Sequence, residues 1–390
     1  MHFKIPYGKQ TIDKSDISYV SKIFKSDFLT TGPQVEKFEN LFKNKVKVKY
    51  AVSCSSGTSA LHLSLLSLEI KKNDTVIMPT INFIAAANMT KLLKAKIYLA
   101  DVDPDTGQIT KETIEDCIKQ NKIKNLKLIF IQHHGGFPNY GKELLYIKRK
   151  YRCSIIEDAC HALGGKYSIK KNQIVGCCKY SDLSTFSFHP VKSITTAEGG
   201  MITTNSKKLS EKIKLFRNHG ILKKKIKNSN LFLGYSIVNL GFNYRLSDIN
   251  AALGFCQLKK LDKFIKKRNQ ISIKFKKDLE VLKDIIKLPV QKKDIKNAWH
   301  LYILRINFDK LKINRQKLFV LLNKKGIITQ VHYPPIYSHP VYKDLKKNFF
   351  TGTTKYYNSC LSIPIYPSLN IKEIRHITSS IKQIIDKYKK

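Results

Sequence analysis

Residues 187 to 200 read SFHPVKSITTAEGG. The stretch leaves a short apolar-flanked segment, presents one lysine, Lys192, and runs into a glycine pair. The next five residues, Gly200-Met201-Ile202-Thr203-Thr204, have the composition of a strand. A lysine held on a polar turn between two strands suits Schiff-base chemistry, which needs an amine that is fixed, faces a carbonyl and can lose its proton. Lysine is also the commonest solvated charge in a chain with 71 Lys and Arg against 29 Asp and Glu. The assignment therefore rests on what surrounds Lys192.

Short apolar runs ending in polar residues recur through the first two thirds of the chain. Thr75-Val76-Ile77-Met78 stops at Pro79, and residues 96 to 100 end at Asp101. Leu128-Ile129-Phe130-Ile131 ends at His133, Ser154-Ile155-Ile156 runs into Glu157-Asp158, and Ser184 to Phe188 repeats the pattern. Helical stretches separate these strands. One of them, GTSALHLSLLSL at 57 to 68, follows the small-residue turn 53 to 56 and is expected to bury an apolar face. This alternation predicts an α/β domain with a mostly parallel central sheet and a site along its C-terminal strand edge. After about residue 250 the chain becomes lysine-rich and helical, with Arg268 and the lysines between 258 and 287 expected to face water. Residues 299 to 306, WHLYILRI, alternate like a strand. The expectation is a large domain over 1–250 and a smaller C-terminal α+β domain over 251–390, packed tightly because no Gly-, Ser- or Pro-rich linker separates them.

Composition excludes other classes. At 390 residues and 42% hydrophobic the chain is expected to be globular. It contains no run of about 18 apolar residues, and MHFKIPYGKQ lacks a signal-peptide core, so a cytoplasmic protein without membrane insertion is expected. The net charge of +42 is spread rather than clustered. Its one dense run, Lys223-Lys224-Lys225 with Lys227, is expected in a loop. Solvated surface is the expected role of most of this charge, not nucleic-acid binding, although a positive field helps attract a diphosphate. The eight cysteines show no metal-binding spacing and read as reduced thiols.

SFHPVK followed by TTAEGG, together with IPYGKQTID and SDFLTTGPQVEKFE near the N-terminus, resembles the DegT/DnrJ/EryC1/StrS family of sugar-nucleotide aminotransferases. The resemblance runs from Ile5 to about VHYPPIYSHP at 331 to 340. It implies the fold type I architecture of pyridoxal 5'-phosphate (PLP) transferases, similar to aspartate aminotransferase. It also implies a homodimer with shared active sites, and an amino group passed from L-glutamate to the 4-keto carbon of a UDP-linked 4-keto-6-deoxy sugar, as in the pseudaminic acid branch. Lys192 becomes the Schiff-base lysine; members that dehydrate their substrate carry histidine there. Asp158, in EDACHA, is implied to pair with the pyridinium nitrogen; taken alone it is equally a helix N-cap. His161 is implied to approach the ring hydroxyl, or is a structural histidine. Gly57 and Thr58 open a helix whose amides suit a phosphate, although Gly-Thr is also an ordinary turn and cap. Ser187 resembles a second phosphate contact, Phe83 the ring-stacking aromatic (plain core otherwise), and Asn243 a residue that reaches the cofactor phosphate of the opposite subunit. Arg245, His332 and Tyr333 are candidates for the sugar-nucleotide pocket. Two departures stand out: His133-His134-Gly135-Gly136 where the family has HxAG or HxYG, and Ser193 where relatives often have proline. A bacillosamine-type keto sugar is the alternative substrate. A non-catalytic basic protein that keeps the fold and binds polyanions is the alternative class.

Overall fold

The computed structural model describes residues 4–138, 141–225, 232–345 and 349–390. Seven strands build the main sheet: β1 (Tyr50–Cys54), β2 (Thr75–Pro79), β3 (Lys96–Ala100), β4 (Leu126–Gln132), β5 (Ser154–Asp158), β6 (Leu183–Ser187) and β7 (Gly200–Thr204). Their order is β1-β7-β6-β5-β4-β2-β3, and every pairing is parallel except the two made by β7. Alternate residues of one strand feed different cores. Leu128 and Phe130 of β4 join Val76, Met78 and Ile156 on one face, while Ile129 and Ile131 join Ile77 and Ile155 on the other. Both faces are covered, which is why these strands read as continuous apolar runs instead of alternating ones.

The Gly57–Ser67 helix packs beneath this sheet. It is buried almost all round, not along one face: Ser59, His62, Ser64 and Ser67 are inside with the leucines. Its serines are tolerated there because they bond back to the helix, Ser64 Oγ to the Ala60 carbonyl at 2.7 Å and Ser67 Oγ to that of Ser64 at 2.9 Å.

A second core gathers Ile271, Phe275, Tyr302, Leu304, Leu318, Ile363, Ile377 and Ile385. Its sheet comprises β10 (Ile286–Lys287), β11 (Tyr302–Ile306) and β12 (Cys360–Ile363), all antiparallel. Between the two sheets in chain order, β8 (Ile221–Lys225) and β9 (Phe232–Ile237) form a separate antiparallel hairpin. Lys223, Lys224 and Lys225, expected in a loop, are therefore strand residues; Lys227 lies outside the described residues. The N-terminal segment joins the second core through Ile5, whose amide donates to the Gly326 carbonyl at 2.7 Å and whose carbonyl accepts from Ile328 at 3.0 Å.

Two expectations about this half of the chain change. β11 is a strand, but it is covered on both faces, with Tyr302, Leu304, Arg305 and Ile306 all buried. Arg268 does not face water. It is 1% exposed, because the Leu261–Leu279 helix buries Leu261, Phe264, Ile265, Arg268, Ile271, Ser272 and Phe275 along one stripe, and position 268 falls on that stripe. Among the described residues no helix is long and apolar enough to cross a membrane, and all eight cysteines are free.

Candidate active site

The C-terminal ends of β4, β5 and β6 open on a cavity of about 310 Å³. Lys192 enters it from the β6–β7 connection. That connection is tied at its neck: the Phe188 amide donates to the Gly199 carbonyl at 2.8 Å, and the Thr196 amide to the Phe188 carbonyl at 3.0 Å. His189 to Lys192 forms a turn, closed at 2.9 Å from the Lys192 amide to the His189 carbonyl, with Pro190 at the position where its fixed φ suits a turn. The lysine is thus held by the backbone on both sides. Burial pulls the Lys192 amine below its ordinary range, and Cys160 and Asp158 pull it back only in part.

Asp158 closes β5 and lines the same cavity. One carboxylate oxygen accepts the Cys160 amide at 3.2 Å, and its carbonyl accepts the His133 amide at 3.1 Å. Behind it Glu157 is buried. Burial raises its carboxyl, yet His133 and the Ser184 hydroxyl, which donates at 2.6 Å, hold it below the usual range.

The opposite wall is the start of the Gly57–Ser67 helix. Ser56 caps it, accepting the Ser59 amide at 3.0 Å, and the first helical bond runs from Ala60 to the Ser56 carbonyl. The amides of Gly57 and Thr58 therefore precede the helical ladder and are left to point outward. No acidic residue occupies that first turn, so the positive end of the dipole is uncompensated. A Cβ on Gly57 would sit 2.8 Å from Ser187 Cβ; only glycine lets the helix end approach the Ser187 hydroxyl this closely.

Phe83, 53% exposed, lies over the cavity with its ring centroid 5.8 Å from that of Tyr333. Tyr333 Oη is 3.1 Å from His161 Nε2. Burial drives the Tyr333 phenol well above its ordinary value and His161 well below its own, so both are neutral near pH 7. His161 Nδ1 is buried with no partner among the described residues. His332 also lines the cavity; burial lowers it to about 3, and its Nδ1 is 2.8 Å from Ser362 Oγ.

Of the residues singled out from the sequence, Lys192, Gly57, Thr58, Phe83, Asp158, His161, Ser187, His332 and Tyr333 meet in this cavity. Asn243 and Arg245 do not. Asn243 is exposed, and Arg245 donates to Asn218 Oδ1 at 2.7 Å beside a separate surface hollow. The sequence reading missed Tyr7, Gln132, Cys160 and His300, which line the cavity too. Gln132 ends a strand, as Asp158 does, and that position was the signal available for it. His300 comes from the segment leading into β11, and nothing local marks it. The His-His-Gly-Gly departure falls at Gly135, which has φ +65 and whose Cβ would meet nothing closer than Ile303 Cδ1 at 3.5 Å; the glycine after it is shared with the HxAG and HxYG patterns. Gly136 has φ +99, and a Cβ there would lie 2.8 Å from the His161 carbonyl oxygen and 3.0 Å from the His300 nitrogen. Ser193, the other departure, is buried, its hydroxyl without a partner among the described residues.

A model of the DegT/DnrJ/EryC1/StrS aminotransferase family matches residues 10 to 382. The chain belongs to this family. It is 37% identical over 388 residues to the UDP-4-amino-4,6-dideoxy-N-acetyl-beta-L-altrosamine transaminase of Campylobacter jejuni, covering 99% of both chains. Among solved structures, Helicobacter pylori PseC, described as an aminotransferase in the biosynthesis of pseudoaminic acid, superposes with a TM-score of 0.88 at 30% identity, covering 98% of this chain and 100% of the other. The PMP-form of the putative sugar aminotransferase Spr1654 from Streptococcus pneumoniae gives 0.89 at 25% identity, covering 98% and 99%. The fold is thus fold type I, as the DegT/DnrJ/EryC1/StrS resemblance implied, and the chain is an aminotransferase.

Proposed function

We propose that this sugar aminotransferase uses PLP to move an amino group from L-glutamate to the 4-keto carbon of a UDP-linked 4-keto-6-deoxy-N-acetylhexosamine. The observation that carries the proposal is the meeting of a half-buried, easily deprotonated Lys192 with Asp158 and an uncompensated helix N-terminus in one cavity. The residues fit the cofactor. The Gly57 and Thr58 amides and the Ser187 hydroxyl suit a phosphate dianion, and the Asp158 carboxylate suits a protonated ring nitrogen. The unpartnered His161 Nδ1 offers a hydrogen bond at the ring's edge, and Phe83 offers a plane. When bound, the cofactor supplies an electron sink for the carbanion formed as the donor loses its α-proton.

This chain's own residues then have defined tasks. Lys192 Nζ, neutral at lower pH than an ordinary lysine, takes the proton from the donor carbon and later returns one to the sugar carbon. Asp158 keeps the ring nitrogen protonated. Tyr333 and His161 stay neutral, so they position groups without exchanging protons with solvent. Asn243 and Arg245, outside the cavity of their own chain, suit a role in the site of a second copy, with Asn243 toward its cofactor phosphate and Arg245 toward the nucleotide diphosphate. His332 and Tyr333 line the sugar side.

Steady-state kinetics with glutamate and the 4-keto UDP-sugar test the proposal. Parallel double-reciprocal lines are expected, since the donor product leaves before the sugar binds. Turnover of the bacillosamine-type sugar in preference to the pseudaminic-type sugar would move the substrate to the alternative. No amino transfer to either would refute the proposal.

A further inference from the structure

Arg268 is a fully buried cation, 1% exposed, and no carboxylate pairs with it among the described residues. A buried guanidinium is costly unless its donors are used. Arg268 spends Nη1 on backbone carbonyls: Ile365 at 2.7 Å, Trp299 at 3.0 Å and His300 at 3.5 Å. It sits in the helix whose first half, through Leu261, Phe264 and Ile265, packs in the large domain, and whose second half, through Ile271, Phe275 and Leu279, packs in the small one. Arg268 therefore stands at the seam.

The segment it grips is the one that brings the small domain to the cavity. The Ala298 amide donates to the Gly136 carbonyl at 3.0 Å, and the Leu301 amide to that of Gly135 at 3.1 Å. Between them Trp299 adopts φ +52, with its amide on Asn297 Oδ1 at 2.7 Å. The result is a His300 ring placed 4.3 Å from the His161 ring, centroid to centroid, in the wall of the cavity. His300 is 5% exposed, and its Nδ1 has no partner among the described residues.

We infer that His300 is a cofactor-site residue contributed by the small domain, bearing on the ring of His161, and that Arg268 is the positioning residue that seats it. The inference rests on the proposed function. Arg268 remains a cation at neutral pH even though burial lowers it to about 10. Its charge, with that of Lys192, adds to burial in keeping His300 unprotonated, so His300 meets the site as a neutral hydrogen-bonding ring.

A double-mutant cycle on the PLP-loaded protein tests this, using Arg268→Lys, His300→Ala and both together. Two quantities are read: kcat/KM for glutamate and the pH midpoint of the visible cofactor band. Each single change is expected to lower kcat/KM roughly tenfold and to move the midpoint, and the double variant to be no worse than the worse single, since coupled residues are non-additive. A silent His300→Ala overturns the inference. So does a double variant whose loss is the product of the two single losses. An Arg268→Lys protein that does not fold assigns the arginine to the fold and overturns its positioning role. A wild type that takes up no PLP fails the functional reading itself; a loaded, active wild type with a silent His300→Ala fails only this inference.

Discussion

Replacing Gly57 with alanine tests the phosphate cradle with a single carbon atom. The new Cβ would stand 2.8 Å from Ser187 Cβ and 3.2 Å from its Oγ. Apolar carbons rest at about 3.5–4.0 Å, so the overlap is roughly 0.7 Å or more. Ser187 cannot swing aside, because the atom struck is its Cβ and its backbone is paired with Gly200 in the sheet. The helix start must move instead, carrying the Gly57 and Thr58 amides away from the ligand position. Overpacking of this kind costs about 1–3 kcal/mol, offset in the ligand-free protein by up to ~1 kcal/mol of helix preference for Ala over Gly. Empty protein should therefore unfold at or somewhat below the wild-type temperature, a net loss of about 0–2 kcal/mol when that offset is complete. Cofactor affinity bears the displacement, and about 1–3 kcal/mol is roughly a 5- to 150-fold increase in Kd. Titrating the apoprotein with PLP and following the visible band measures this. A Kd within about twofold of wild type would refute the cradle as the phosphate site.

Lys192→Ala should leave the protein folded and cut turnover by at least roughly 10²–10⁴-fold, measured with glutamate and the keto sugar. The lowered Lys192 pKa also predicts a stability effect. The unfolded chain binds its proton more tightly than the native apoprotein, so wild-type stability should rise with pH from the depressed native pKa up to 10.5. Apo Lys192→Met should then melt above wild type at pH 7, with the gap closing as pH rises toward 10.5. Burial also lowers two histidines at or near the site, His134 to about 4 and, in the cavity wall, His332 to about 3. Acidification below their ordinary value of 6.5 should therefore destabilise the protein progressively, and His134→Gln should flatten the fall of Tm between pH 6.5 and 4. Asp158→Asn should weaken turnover far more than it lowers Tm, as judged by kinetics and thermal unfolding run side by side.

The strands of the large sheet were legible because burial on both faces makes them short apolar runs, and their polar ends marked the site edge. Asp158 follows from that logic, Lys192 from the turn between two strands together with the family motif, and Ser187 from the resemblance. The errors have physical causes too. Arg268 was read as solvated from the lysines around it, although its spacing from Leu261, Phe264, Ile265, Ile271 and Phe275 puts it on the buried stripe. His300 and Tyr7 reach the cavity through long-range packing, His300 by way of Gly135 and Gly136, and Tyr7 through its carbonyl, which accepts the Ile365 amide at 3.3 Å. No local pattern encodes such contacts. Asn243 and Arg245 came from resemblance alone, and one chain does not bring them to its own cavity.

The most direct test of the central claim is to load the purified protein with PLP, reduce it with borohydride, and map the modified peptide by mass spectrometry. The account predicts one stoichiometric cofactor adduct on Lys192, although the chain offers 63 lysines. An adduct scattered over surface lysines, or fixed on a lysine other than Lys192, would contradict it.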